Sequence, residues 1–119
     1  MRTKRGKSVL GVHVRRDDSY NLIRCGRKKI EVRLLKGIVC DIKVGDIVNI
    51  IHKGDKISID IIDIKVFPSL DKMLQNSAIR AAALPDIEVN SCKDYYEQFY
   101  DKSQIDKYQA VALLFRVRR

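Results

Sequence analysis

Tryptophan is absent from this chain, proline occurs only twice, and no apolar run approaches the roughly 20 residues that a membrane-spanning helix needs. The first absence removes the commonest interfacial anchor, and the last leaves no segment to read as a transmembrane span. Cysteine is sparse as well: Cys25, Cys40 and Cys92 are odd in number and far apart, and neither His13 nor His52 forms a short-spaced pair with any of them. Such spacing contains neither a disulfide framework nor a zinc motif, so the expectation is three small buried thiols in a reducing compartment, with no metal and no cofactor. The amino terminus carries charge but no apolar stretch and no cleavage site, so no secretory signal is expected and the protein reads as intracellular, in cytoplasm or nucleus. With 45% hydrophobic and 33% charged residues, the composition is that of a globular protein, and 119 residues suit one domain.

What the chain does have is misplaced charge. Residues 1 to 36 hold 12 Lys/Arg against Asp17, Asp18 and Glu31, a balance of +9, whereas residues 37 to 119 hold 12 of each sign. The whole net charge therefore falls in the first third. Residues 1–7 alone would be a basic arm, but the bias continues through Arg15, Arg16, Arg24, Arg27, Lys28 and Lys29, within chain that is patterned to fold. One-sided basic surface attracts polyanions, with nucleic acid the expected partner and an acidic membrane surface the rival.

Periodicity organises the rest. Residues 8 to 14 alternate as a short strand, and residues 17 to 26 read as a compact helix: Asp17 or Asp18 caps its start, Tyr20 and Ile23 share one face, and Gly26 follows its end. The next strand puts Ile30, Val32 and Leu34 on one face and Lys29, Glu31 and Arg33 on the other. Two turns, Lys43 to Asp46 and Lys53 to Asp55, bracket a further strand. In the long run from Lys56 to Phe67 the apolar phase changes between Ile61 and Ile62, as at a β-bulge where a strand bends around a small barrel. Short helices are expected from Ser69 and from Ser91, the latter with Asp94 as capping-box partner. The chain closes on a strand in which Val111, Leu113, Phe115 and Val117 alternate with smaller or polar residues. Tyr95, Tyr96, Phe99 and Tyr100 form one stripe if the helix continues; Phe99 and one of Tyr95 or Tyr96 read as packing, with Tyr100 left for a cleft rim. Five or six strands with short helices among them point to an α+β, mostly antiparallel small barrel rather than a doubly wound sheet.

The stretch "GRKKIEVR", residues Gly26 to Arg33, has the form G-x-K-x-x-E-x-R. Together with "KVGD" at 43–46, "ALP" at 83–85 and the closing aromatic segment, it resembles the ASCH domain family of the PUA-like β-barrel superfamily, over residues 8–117. The resemblance implies that the motif strand lines a cleft between barrel and helices. By strand parity Glu31 and Arg33 share the cleft face, while Lys28 joins them only because it sits in the turn after Gly26. A carboxylate between two cations stays ionised, and such a trio suits holding a phosphate or base edge, or moving a proton.

Two functions follow as expectations. In the first, an RNA-binding module, Lys28 and Arg33 take phosphate or a base edge and Glu31 orients them. Arg15, Arg16, Arg24, Arg27 and Lys29 track a single-stranded RNA backbone, and Tyr100 stands at the rim. A small nucleoside or nucleotide is the smaller version of that ligand. In the second, a small hydrolase, Lys28, Glu31 and Arg33 are catalytic, acting on RNA as a ribonuclease or on a modified nucleoside as an amidohydrolase. The amidohydrolase type in the family uses the motif Lys, a Thr where this chain has Glu31, and a Glu before the last helix. Here residues 73 to 87 contain no Glu, and Asp86 is their only carboxylate.

Overall fold

The computed structural model describes residues 10–119, and the arm at residues 1–7 lies outside them. Among the described residues five strands, β1 (Leu10–His13), β2 (Ile30–Leu34), β3 (Ile47–His52), β4 (Asp55–Phe67) and β5 (Ala110–Val117), form one sheet in the order β1-β3-β4-β5-β2. Only β1 and β3 run parallel; the other three pairings are antiparallel, and the sheet curls into a half-barrel. The expected mostly antiparallel α+β architecture is therefore present, with five strands. The first strand is observed from Leu10, its expected start at residues 8 and 9 lying outside the described residues.

Both faces of the sheet carry a core. Val12, Val14, Val48, Ile50, Ile59, Ile61, Val111, Leu113 and Phe115 pack with Tyr20 and Ile23 of helix α1 (Asp17–Arg24). Ile30, Val32, Leu34, Ala110 and Ala112 pack on the other face against helices α2 (Leu70–Leu74), α3 (Ser77–Ala83), α4 (Cys92–Glu97) and α5 (Lys102–Lys107). β5 is thus buried on both sides. Its small residues alternate with large ones because Ala110 and Ala112 face the side on which the helices come close, while Val111, Leu113 and Phe115 fill the barrel.

The phase change in β4 is a break in register between Ile61 and Asp63 against β5. Ile61 is 2% exposed and Ile62 48%, so the extra residue is turned outward and the strand bends at that point. The β3–β4 hairpin turns on Lys53 and Gly54, both at positive φ (49° and 85°), the conformation that matches the strand twist in a two-residue loop.

Helix boundaries depart from expectation at several points. The N-cap of α1 is Arg16, without a side-chain cap, because Asp17 is engaged by His52 and Asp18 by Arg16. Ser91 does not cap α4: its backbone is helical (φ −103°, ψ −3°), so no capping box with Asp94 forms. The box appears instead at Asp101 and Gln104, opening α5, a helix not anticipated from the pattern, as α3 was not. α4 ends at Glu97, so Phe99 and Tyr100 belong to the turn beyond it and not to a continuous helical stripe.

Candidate functional site

β2 places its two faces in different surroundings. Ile30, Val32 and Leu34 enter the helical core, and the polar face carrying Glu31 and Arg33 turns toward the end of β1 and the start of α1. Lys28 arrives from the turn before the strand, where Gly26 takes a positive φ of 86° and the amides of Arg27 and Lys28 both donate to the Leu22 carbonyl.

The three charges meet at short range. Lys28 Nζ lies 3.0 Å from Glu31 Oε1, and Arg33 Nε donates to Glu31 Oε2 at 2.6 Å. Lys28 also donates to Ser19 Oγ at 3.0 Å, and Arg33 Nη2 to the His13 carbonyl at 2.6 Å. Lys28 and Glu31 are 4% and 5% exposed, so both charges are taken out of water and each needs its partner. Burial works to raise the Glu31 carboxyl, but the charges of Lys28 and Arg33 and their hydrogen bonds outweigh it and bring the carboxyl down to about 2. Burial likewise opposes the Arg33 charge, and Glu31 more than restores it.

These residues floor a cleft of about 140 Å³. One wall is the β1–α1 loop with Arg15 and Arg16, and the other is Tyr95, Tyr96, Phe99 and Tyr100. The walls are linked across the mouth. The Arg15 guanidinium lies 5.9 Å from the centre of the Phe99 ring, and that of Arg16 lies 5.8 Å from Tyr95 and donates to Gln98 Oε1 at 3.0 Å. Tyr96 is buried, whereas Tyr95, Phe99 and Tyr100 are half-buried. Of the two residues read as packing, Tyr96 fits, but Phe99 stands in the cleft wall. Tyr100 is at the cleft, as expected for a rim residue, and Lys36 Nζ lies 5.7 Å from its ring.

The remaining cations disperse. Arg24 binds Asn21 Oδ1 at 2.9 Å and borders a second, larger hollow of about 510 Å³ that shares Ser19, Lys28 and Tyr95 with the cleft and is otherwise largely apolar. Arg27 is spent in a two-bonded pair with Asp86 on the rim of that hollow, and this also removes Asp86 from the cleft. Lys29 shares the parity of Glu31 but precedes the strand, is exposed, and lines a different depression with Arg116 and Arg119. Arg16 is half-neutralised by Asp18, at 3.0 and 3.2 Å.

Three participants escaped the sequence reading. Ser19 had a signal, since it lies one helical turn before buried Ile23 and is therefore on the inner side of α1. The His13 carbonyl and the pairing of His52 with Asp17 depend on strand order and had none. Of the three thiols expected to be buried, Cys92 is, whereas Cys25 and Cys40 are exposed, and among the described residues no group of three or more His, Cys, Asp or Glu is gathered as a metal would require.

No protein-family model matches the chain, and no curated protein matches it significantly. Solved structures do. Hypothetical protein PH0355 is 31% identical, with a TM-score of 0.80 over 93% of this chain and 100% of that one. Protein PF0455 from Pyrococcus furiosus is 26% identical, with a TM-score of 0.74 over 92% of this chain and 97% of its own. An ASCH domain from Lactobacillus crispatus is 17% identical, with a TM-score of 0.61 over 93% and 80% of the two chains, a likeness of fold.

Proposed function

From a chain that belongs to one family with PH0355 and has the ASCH-like fold, we propose a protein that binds RNA, single-stranded, at the Lys28–Glu31–Arg33 cleft. The observation that carries this reading is the polarity of the cleft: among the described residues its lining has Arg15, Arg16, Lys28 and Arg33 against Glu31, between aromatic walls. Cations fix phosphate, and aromatic faces stack bases without regard to sequence. Glu31 has a structural part in this, keeping two like charges together in a nearly dry site. The basic arm at residues 1–7 adds further cations along the same polyanion.

Binding is favoured over hydrolysis by the state of Glu31. A general base works best with a pKa near the operating pH, and a carboxylate at about 2, held by two cations, has little affinity for a proton. The same engagement leaves Lys28 committed to Glu31 and Ser19. The test is fluorescence anisotropy with a short single-stranded RNA across a salt series. Affinity is expected to fall steeply with salt, with a slope of about −0.7 per phosphate neutralised on single strands. Absence of binding at about 50 mM salt, where such contacts are strongest, would overturn the reading.

A further inference from the structure

We propose that the cleft receives the terminal phosphate of an RNA chain, a phosphomonoester, and that the Tyr96 hydroxyl is one of the donors that read it. The inference rests on the RNA-binding reading and deepens it. Tyr96 lines the cleft with Lys28, Glu31 and Arg33, is 4% exposed, and its hydroxyl is shielded from solvent without a hydrogen-bond partner among the described residues. Buried hydroxyls are almost always partnered, so an orphan in a cleft wall is a group waiting for whatever fills the cleft. It is a donor there: burial, and then the nearby Glu31 charge, push its ionisation well above the usual phenol range.

The neighbouring side chains have donors left, and the Glu31 carboxylate among them is already held between two cations. Lys28 carries three N–H groups, of which one is hydrogen-bonded to Ser19 while the ammonium is ion-paired with Glu31. Arg33 uses Nε and one N–H of Nη2, leaving Nη1 free among the described residues. Both oxygens of Glu31 face cations, Oε2 through the hydrogen bond from Arg33 and Oε1 through the ion pair with Lys28 without an aligned hydrogen bond among the described residues. The donors and positive charge on offer therefore suit a guest that brings acceptors and negative charge. A phosphomonoester brings three acceptor oxygens and a charge of about −1.5 to −2.

Access favours an end over an internal linkage. Lys28, at 4% exposure, is at the bottom of the cleft, and Arg15 and Arg16 reach across its mouth to Phe99, Tyr95 and Gln98. An internal phosphodiester would have to carry a sugar on both sides into that space, and it offers one charge. A terminal phosphate enters with the chain on one side only.

The test is a competition assay, in which unlabelled single-stranded RNAs of one sequence displace a labelled one. They bear a 5′-phosphate, a 3′-phosphate, or hydroxyls at both ends, and are run against wild type and Tyr96→Phe. One of the phosphorylated forms is expected to compete at least tenfold better than the hydroxyl-ended RNA. Tyr96→Phe should remove roughly tenfold of that preference, read as the ratio of phosphorylated to hydroxyl-ended RNA on the same variant, the size of one charge-assisted hydrogen bond. Because the substitution leaves every charge in place, a general attraction of phosphate to basic surface would survive it. Tyr96→Phe deletes an unpartnered hydroxyl, so its melting temperature should equal or exceed the wild-type value, which separates the effect from unfolding. Equal competition by all three RNAs, or a preference untouched by Tyr96→Phe, overturns this inference and leaves RNA binding standing. Failure of every RNA to bind overturns both.

Discussion

His52 Nε2 meets Asp17 Oδ1 at 2.6 Å while Nδ1 of the same ring meets the Val14 carbonyl at 2.7 Å, so both nitrogens face oxygen acceptors. Only the protonated imidazolium donates in both directions. The ring also stacks on Tyr20, with centroids 5.0 Å apart, and Asp17 is shared with Lys53 Nζ at 3.0 Å. This arrangement ties the end of β3 to the loop that carries Arg15 and Arg16 to the cleft.

A pH dependence of stability follows. The hydrogen bond to Asp17 first, then that to Val14, raise the His52 pKa above its ordinary 6.5. A raised folded-state pKa gives stability that is complete below the unfolded value and is lost as pH rises through the folded one. The wild-type melting temperature should therefore drop between pH 6 and 9 by more than that of His52→Gln, which has no proton to lose. Parallel pH profiles for the two proteins would show that the imidazolium contributes nothing.

The β4 bulge makes a sharper prediction about adjacent identical residues. Ile61 is 2% exposed and Ile62 48%. Ile61→Ala should cost about 2–5 kcal/mol, read as a fall in the urea midpoint, because it empties part of the barrel core. Ile62→Ala, at a surface position, should stay within roughly 0.5 kcal/mol of wild type. Similar losses at both positions would mean that the strand is not bulged there.

That bulge was legible in the sequence because burial on a strand has a period of two, so one extra residue inverts everything beyond it. The cleft was legible for a related reason: the apolar phase of Ile30, Val32 and Leu34 left Glu31 and Arg33 on the opposite face, and Gly26 marked the turn that brings Lys28 to them. The helix ends were not. Ser91 with Asp94 and Asp101 with Gln104 both have capping spacing, yet only Asp101 has the extended backbone a cap requires (φ −78°, ψ 169°), and tertiary packing decides that. Nor does local pattern reveal that Arg27 is held by Asp86, 59 residues away, or that Lys29 turns to another surface.

The Glu31 carboxylate should carry a large share of local stability. In Glu31→Gln, Lys28 and Arg33 remain beside each other in a nearly dry site without a counter-charge, and breaking such a buried pair costs about 3–5 kcal/mol. The loss should appear as a lowered melting temperature at neutral pH. In wild type, the stability that depends on this group should be complete above the ordinary carboxyl value of 4.5, decline progressively as pH falls below it, and be exhausted near about 2. A Glu31→Gln protein as stable as wild type at pH 7 would show that the triad is not a linked unit.

Lys28→Ala distinguishes a binding cleft from a catalytic one. The substitution leaves Glu31 paired with Arg33, so the fold should hold better than in Glu31→Gln, and a melting curve checks this before any function is read. In a site that binds, Lys28 is one cation of four in the lining, and its loss should weaken RNA binding by several-fold and make the salt slope shallower by about one phosphate's worth. In a site that catalyses, binding would change little while turnover fell by roughly 100-fold or more, the usual effect of removing a general acid or base. With Glu31 held at about 2 and doubly ion-paired, the first outcome is expected. RNA cleavage by the wild type that disappears in a folded Lys28→Ala protein with intact RNA affinity would reverse it and make Lys28 the catalytic residue.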